Sequence, residues 1–184
     1  DYQRSRGLGD VYKRQPPCHC GVHRSRFKLT MAPVTIYTDG GASGNPGPGG
    51  YGALLIYGEH EKELSAGFRL TTNNRMELLA VIVALEALKR PGMAVEIFSD
   101  SKYVVDAVSK GWVMTWERKN FKDKKNPDLW KRFLAVYRQH RVVFRWVKGH
   151  AGNLNNERVD ALAVMAYQNG DLGVDEAYES TDNT

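Results

Sequence analysis

Residues 71–89 read TTNNRMELLAVIVALEALK, and this stretch predicts a helix that ends at the Pro-Gly pair 91–92. Residues 76–85 are apolar on nearly every side of that helix, and such a helix is buried on most of its surface. Glu77 is the only charged residue in this run. A buried carboxylate is costly unless it is paired, hydrogen-bonded or bound to a cation, so Glu77 is a candidate functional residue. The alternative is a helix-capping glutamate, with Asn74 as the N-cap.

Strands and helices alternate on both sides of this helix. Before it, we predict strands over 34–38, 51–57 and 62–70, with a loop rich in glycine and proline over 40–50. After it come a strand over 95–98, a helix over 102–109, a basic segment with tryptophans over 112–126, a helix over 128–139, a strand over 142–147 and a helix over 155–169. This order predicts an α/β fold in which helices pack on the faces of a mixed sheet.

Length and composition exclude several classes of protein. The chain has 184 residues, of which 42% are hydrophobic, so it can form one domain with a sizeable core. No apolar run approaches the roughly 20 residues of a membrane span, and no signal-peptide pattern follows Met31, so we expect no membrane partner. Cys18 and Cys20 are the only cysteines, which provides no disulfide or zinc framework and favours a reducing, cytoplasmic setting.

The net charge of +5 is unevenly distributed along the chain. Residues 1–30 hold seven Lys/Arg and two Asp, whereas the remaining basic and acidic residues are equal in number. Residues 110–148 contain twelve Lys/Arg against three acids. Such an excess indicates a polyanionic partner for one face, and a solvated surface of helices and loops is the alternative.

The two ends of the chain differ from its centre. Residues 1–30 have no periodicity, and residues 7–15 look like translated library-adaptor sequence, so we predict a non-native or disordered leader there. A genuine basic arm for nucleic acid is the alternative. Residues 31–169 form the predicted domain. Residues 170–184 hold five acids and no Lys or Arg, which predicts a frayed, flexible tail.

Three further acids stand at the ends of predicted elements. Asp39 follows the first strand, Asp100 follows the fourth, and Asp160 lies in the first turns of the last helix. Each has an ordinary alternative role, respectively a turn residue, a helix N-cap and a partner of the helix dipole. With Glu77 they form a set that a compact sheet could bring together, and Mg²⁺ would relieve their repulsion. Spacing alone leaves their convergence open.

Five motifs occur in the order that they have in type 1 ribonuclease H, and the chain resembles the bacterial single-domain form of that family. The motifs are TDGG and GNPGPGGYG within 38–52, TTNNRMEL at 71–78, SDS and YV within 99–104, WVKGHAG at 146–152 and NERVD at 156–160. The resemblance covers about residues 33–168. It implies a five-stranded mixed sheet flanked by helices, with the first three strands antiparallel, and hydrolysis of the RNA strand of RNA–DNA hybrids by a monomer.

The resemblance also implies catalytic roles. Position by position, the acids that bind two Mg²⁺ ions are Asp39, Glu77, Asp100 and Asp160, and Mn²⁺ can substitute for Mg²⁺. His150, between two glycines, matches a histidine on a flexible loop that assists proton transfer or product release. The products implied are a 5′ phosphate and a 3′ hydroxyl.

Substrate contacts follow from the same resemblance. Asn45, Asn73 and Asn74 match residues near the RNA strand, and Thr72 and Asn126 match positions that hold a phosphate of the DNA strand.

The basic segment matches a protrusion that grips the substrate. Its predicted contacts are Trp112, Trp116, Lys119 and Lys122, because aromatic rings among cations suit sugar stacking and phosphate contact. A core tryptophan beside a solvated loop is the alternative. The segment is several residues shorter than in the well-known bacterial pattern. Lys102 stands where the family often has a glutamine in the minor groove.

Two other functions stay open at this point. A non-catalytic hybrid-binding module would need one of the four acids to be missing, and none is. A related nuclease or DNA-transfer enzyme on the same fold usually carries three acids and further domains, for which this chain has no room.

Overall fold

The β-branched and aromatic residues that begin at Val34 form the central strand of the sheet. The computed structural model describes residues 32–149 and 151–180. Residues 1–31, His150 and residues 181–184 lie outside the described residues, so the leader predicted over 1–30 and the role predicted for His150 stay predictions.

The predicted strands and helices are present in the predicted order, and three further elements occur: a helix within the basic segment predicted over 112–126, and a short strand and a short helix at the C-terminal end. In chain order the elements are β1 Val34–Ala42, β2 Gly47–Tyr57, β3 His60–Thr71, α1 Asn73–Glu86, β4 Ala94–Ser99, α2 Lys102–Ser109, α3 Trp112–Arg118, α4 Pro127–Tyr137, β5 Arg141–Trp146, α5 Leu154–Asn169, β6 Leu172–Gly173 and α6 Glu176–Glu179. None of the helices in the described ranges is both long and apolar enough to span a membrane.

The sheet is mixed, in the order β5-β4-β1-β2-β3-β6. The first three strands are antiparallel, as predicted, and β4 and β5 continue the sheet in parallel beyond β1. The prediction of five strands is wrong by one, because β6 pairs with Gly67 and Phe68 of β3. The sequence does not predict this strand, because two residues are too few to show a periodic hydrophobic pattern.

The glycine-rich stretch differs from its predicted form as a loop over 40–50. Most of it belongs to β1 and β2, and only residues 43–46 connect the two strands. A Cβ at Gly50 or Gly52 would collide with the backbone of α5, so the missing side chains of these two strand residues let the helix approach closely. Asp39 therefore lies within β1, opposite Gly52, rather than at a strand end.

Helices cover both faces of the sheet. Successive residues of β1 face opposite sides of the sheet, and Gly40 faces the backbone of α1. Gly52, the pairing partner of Asp39 in β2, faces α5 on the other side. Helix α1 also packs against α4, and the core between helices and sheet is closed by large side chains that are fully buried. Among them are Ile36, Leu54, Met76, Leu78, Ile82, Leu85, Ile97, Trp130 and Phe133.

Candidate active site

Asp39 sits where β1 passes closest to α1. A Cβ on the neighbouring Gly40 would lie on the backbone of Met76 and Glu77, so only glycine permits this approach. The Gly40 N–H donates to Oδ1 of Asp39 at 2.7 Å. The turn role considered for Asp39 is excluded, because the residue pairs with Gly52 inside the sheet.

Glu77 projects from the second turn of α1 toward the start of α2. Its Oε2 accepts a hydrogen bond of 2.5 Å from the hydroxyl of Ser101. The capping role considered for Glu77 is not observed, because the N-cap of α1 is Thr72 and Asn74 lies inside the helix.

Asp100 follows β4 directly and is held at several points. The indole N–H of Trp146 donates to its carbonyl oxygen at 3.1 Å, and the amide of Asn156 donates to its Oδ2 at 3.4 Å. Gly149 passes so close that a Cβ there would lie 2.6 Å from Oδ2 of Asp100. The N-cap of α2 is Ser101 rather than Asp100, because Ser101 accepts the Val104 N–H.

Asp160 lies in α5, whose position is set by the glycines beneath it. At Gly52 a Cβ would collide with the carbonyl of Val159, the residue that precedes Asp160. Because Gly52 is also the pairing partner of Asp39, this close packing carries Asp160 to the part of the sheet that holds Asp39.

The four carboxylates interact through their charges. The pKa of Asp39 is raised from 3.8 to about 7, first by burial and then by the charge of Asp100, while the hydrogen bond from Gly40 opposes the rise. The charges of Asp160 and Glu77 raise the same pKa. The pKa of Glu77 is raised, first by burial and also by the charge of Asp100, while the Ser101 hydrogen bond lowers it. Such convergence of acids is typical of a functional site.

The donor set suits a hard divalent cation, because carboxylate oxygens are the ligands that Mg²⁺ and Mn²⁺ prefer. Across residues 32–149 and 151–180, no group of three or more His, Cys, Asp or Glu side chains is arranged to hold a metal ion. In donor type and in charge the four residues fit a divalent ion.

A cleft opens at the amino-terminal end of α1, the helix that carries Glu77. It measures about 490 Å³, and the predicted substrate residues that line it are Asn45, Thr72, Asn74 and Asn126. Asn73 is not among its lining residues. Its Oδ1 accepts a hydrogen bond of 2.6 Å from the N–H of Ala42, the last residue of β1. Asn126 donates to the hydroxyl of Tyr103 at 3.2 Å, and its backbone is left-handed.

The basic segment begins with α3 and combines exposed cations with rings. Trp112 is 45% exposed, whereas Trp116 is partly buried against the core and contacts Trp130. Lys119 and Lys122 are exposed. The structure therefore combines both interpretations of the tryptophans, with Trp112 on the surface and Trp116 largely in the core.

Lys102 lies at the start of α2, close to the acids. Its Nζ is 5.2 Å from the centre of the Trp146 ring, in cation–π geometry. Because Trp146 also bonds the carbonyl of Asp100, the predicted minor-groove position and the acid site share one aromatic side chain.

Sequence reasoning missed several side chains around the site. Ser101 and Asn156 orient the acids, and the Oδ1 of Asn156 is buried without a hydrogen-bond partner in the described ranges. Both stand within the motifs SDS and NERVD, so their position beside an acid was the available signal. Arg75 likewise stands in the motif TTNNRMEL, two residues before Glu77, whereas Tyr178, which also lines the cleft, had no such signal.

Comparison with known proteins gives a consistent result. The sequence model of the RNase H family matches residues 31–168. A Ribonuclease H of Rippkaea orientalis is 55% identical over 152 residues, which cover 80% of this chain and 93% of that protein. A Ribonuclease HI of Synechocystis sp. is 53% identical over 151 residues, which cover 79% of this chain and 94% of that protein.

Solved structures show the same likeness. LC9-RNase H1, described as a type 1 RNase H with the type 2 active-site motif, superposes with a TM-score of 0.69 at 33% identity, covering 82% of this chain and 81% of that chain. LC11-RNase H1 in complex with an RNA/DNA hybrid superposes with a TM-score of 0.56 at 30% identity, covering 73% of this chain and 96% of that chain.

Proposed function

This chain belongs to the ribonuclease H family, as a type 1 form similar to the bacterial enzymes, and on that basis we propose that it hydrolyses the RNA strand of RNA–DNA hybrids with two divalent ions. One observation carries the proposal. Four carboxylates from β1, α1, the end of β4 and α5 act on one another's charge, and the pKa of Asp39 rises to about 7 as a result of burial and of that charge. A purely structural role would not gather so much uncompensated charge.

Asp39, Glu77, Asp100 and Asp160 would hold the ions, and Mg²⁺ is the ion of choice with a phosphate substrate, with Mn²⁺ as a substitute. When bound, a pair of such ions would lower the pKa of a water molecule and stabilise the charge that develops on the leaving oxygen.

The remaining groups of the site orient these acids. Ser101 fixes the carboxylate of Glu77 by a hydrogen bond of 2.5 Å. Asn156 and Trp146 hold the side chain and the carbonyl of Asp100. Outer groups of this kind keep ligands in a productive orientation, and their loss commonly reduces activity.

Substrate positioning falls to the cleft and to the basic segment. Amide and hydroxyl groups such as those of Asn45, Thr72 and Asn126 contact phosphates without reading bases. The RNA strand is distinguished from DNA through its 2′-hydroxyls. In the hydrolysis a water oxygen bonds to phosphorus and the bond from phosphorus to the 3′ oxygen breaks, which leaves a 5′ phosphate and a 3′ hydroxyl.

The role of His150 in proton transfer or product release is part of this proposal and rests on the resemblance. The monomeric state and the reducing, cytoplasmic setting expected from the sequence also stay predictions.

The direct test uses a hybrid whose RNA strand is labelled, with Mg²⁺, Mn²⁺ or EDTA. We expect cleavage with either ion, none in EDTA, and none of double-stranded DNA or single-stranded RNA. The products should be extended by a polymerase that needs a 3′ hydroxyl and should lose a 5′ phosphate to a phosphatase.

The matched control is Asp39→Asn, which removes a ligand and adds no charge. We expect this variant to bind the hybrid without cutting it. If the wild-type protein bound the hybrid without cleaving it, the chain would be a hybrid-binding module and not an enzyme. Cleavage of double-stranded DNA would favour the related nucleases, and full activity of Asp39→Asn would contradict the assignment of that residue.

A further inference from the structure

One wall of the cleft at the amino-terminal end of α1 comes from the C-terminal segment, residues 172–179. Ala177 and Tyr178 of this segment face the same space as Asn45, Thr72 and Asn126. We propose that Tyr178 is a substrate-contact residue, whose aromatic side chain packs against the sugar–phosphate backbone of the nucleic-acid strand in the cleft. This inference rests on the proposed function and extends its binding surface to a part of the chain that the sequence predicts to be a tail.

A buried ion pair between Asp175 and Arg75 holds the segment against the rest of the domain. Asp175, 8% exposed, accepts hydrogen bonds of 2.7 Å from Nε and 2.7 Å from Nη2 of Arg75. It also accepts one of 2.9 Å from the hydroxyl of Thr71. Together with the pairing of β6 on β3, these bonds fix where the residues that follow Asp175 stand.

A second ion pair closes the far end of the segment. Glu179 accepts three hydrogen bonds, of 3.1, 3.0 and 2.6 Å, from the guanidinium of Arg69. Asp175 and Glu179 are thus each bonded to an arginine, which largely compensates their charges. The third acid of the segment, the exposed Glu176, is not among the residues that line the cleft, so on this wall the segment presents Ala177 and Tyr178.

Tyr178 has a defined orientation within this wall. Its ring centre lies 5.7 Å from the guanidinium carbon of Arg75, a cation–π contact, and its side chain is partly buried. An aromatic ring that is already ordered can pack on a sugar at little cost in side-chain entropy.

The other lining residues suit a backbone phosphate. They include amides, the hydroxyl of Thr72, the exposed cation Lys125 and two prolines, Pro46 and Pro127. The guanidinium of Arg75 also lines the cleft, but it is buried and bonds to Asp128 and Asp175. Asp128 is the only acid among the residues that line the cleft in the described part of the chain, and both its oxygens accept bonds from Arg75, at 3.0 and 2.8 Å. Phosphate contacts in nucleic-acid complexes are made by such groups, and aromatic rings pack beside them.

The test measures binding of a hybrid in EDTA, where it is not cut, and cleavage kinetics in Mg²⁺. Tyr178→Ala should weaken binding about fivefold, with KM raised similarly and kcat unchanged, because only packing on the substrate is lost. Tyr178→Phe should bind as the wild type does. Tyr57→Ala is the matched control, because Tyr57 is also partly buried but lines a separate cleft at the other end of α1.

A phosphate scan separates contact from folding. Hybrids carrying one neutral methylphosphonate at successive DNA positions should lose affinity for the wild-type protein at one position, and this loss should be smaller in Tyr178→Ala because neighbouring contacts are coupled. If Tyr178→Ala folds poorly, Tyr178→Leu replaces it in this test. It keeps an apolar side chain for folding but lacks the aromatic ring, so it should show the same weakened binding of the hybrid. Equal losses at every position in both proteins would overturn the proposal.

The outcomes also distinguish this inference from the proposed function. Normal cleavage together with unchanged KM in Tyr178→Ala would overturn the inference and leave the function intact. Hybrid binding that depends on Tyr178, without cleavage in Mg²⁺, would support the inference and refute the catalytic role.

Discussion

The hydroxyl of Ser101 joins two elements of the site, because it donates to Oε2 of Glu77 at 2.5 Å and accepts the backbone N–H of Val104 at 3.2 Å. One small side chain therefore caps α2 and orients a carboxylate of α1. Asp100 immediately precedes it, so the same bond ties the position of Glu77 to that of a second acid.

Substitutions of Ser101 should separate these two duties. Ser101→Ala removes both the cap and the bond to Glu77, so we expect the free energy of unfolding to fall by about 1 kcal/mol and cleavage to slow about tenfold. Ser101→Gly restores most of the cap but not the bond, so it should regain stability without regaining activity. Urea unfolding and hybrid cleavage measure the two effects. Ser65→Ala on exposed β3 is the control, and a wild-type rate in Ser101→Ala would contradict the prediction.

The raised pKa of Asp39 predicts an unusual pH dependence for the metal-free protein. The pKa rises from 3.8 to about 7 on folding, so between these values the folded protein holds a proton that the unfolded chain releases. Stability therefore falls as the pH rises through this window, and the cost is complete above the folded pKa. From pH 5 to pH 8 we expect a loss on the order of 3 kcal/mol in the free energy of unfolding, measured in EDTA.

The Asp39→Asn variant provides the control for that pH dependence. It cannot ionise, so its profile should be flatter and, at pH 8 in EDTA, it should be more stable than the wild type. Added Mg²⁺ should stabilise the wild type more than the variant, because only the wild type keeps all four acids. Identical profiles for the two proteins would show that Asp39 does not carry the electrostatic cost.

How far the sequence predicts this site depends on the range of the interactions involved. Helix α2 is predicted to the residue because its signals are local, and the four acids stand in short motifs. The glycines that follow Asp39 favour a loop, so the sequence predicts a strand end there. The pairing of residues 40–42 with Tyr51, Gly50 and Gly49 of β2 extends β1 to Ala42 instead. The composition of residues 170–184, with five acids and no Lys or Arg, predicts a frayed tail.

The partners of those acids are far away along the chain. Asp175 bonds to Arg75 and Glu179 to Arg69, across separations of 100 and 110 residues. Only the folded sheet, in which β3 leads into α1, brings both arginines to the C-terminal segment. Composition therefore gives the charge of this segment but not the ion pairs of Asp175 and Glu179, and the flexibility predicted for residues 170–184 stays a prediction.

Arg75 should be irreplaceable by lysine. Its buried guanidinium bonds to Asp175 and Asp128 together, and a lysine ammonium cannot reproduce this double fork. We expect Arg75→Lys to lower the free energy of unfolding by about 3 kcal/mol, whereas the exposed Arg90→Lys should change it little. Urea unfolding of both variants checks this, and equal stabilities would contradict it.

The same network predicts a sensitivity to acid. Burial would raise the pKa of Asp128, but hydrogen bonds and charge from Arg75 outweigh it and hold that pKa below its ordinary value. The pair contributes fully above the pKa of an unfolded aspartate, about 4, and its contribution is lost as the pH falls from there through the lowered pKa. Acid should therefore destabilise the wild type more steeply than Arg75→Lys, as unfolding free energies at about pH 6 and pH 3 would show.

Two neighbouring glycines of β1 test how closely the acids must be held. A Cβ on Gly40 would lie on the backbone of Met76 and Glu77, whereas one on Gly41 would meet nothing within 4 Å. Gly40→Ala should push β1 from α1, lower the free energy of unfolding by about 1–3 kcal/mol and reduce hybrid cleavage, because Asp39 and Glu77 move apart. Gly41→Ala, which changes the chain by the same methyl group, should keep near wild-type stability and cleavage. If both variants lost activity equally, or neither did, the contact between β1 and α1 would not be what sets the spacing of the two carboxylates.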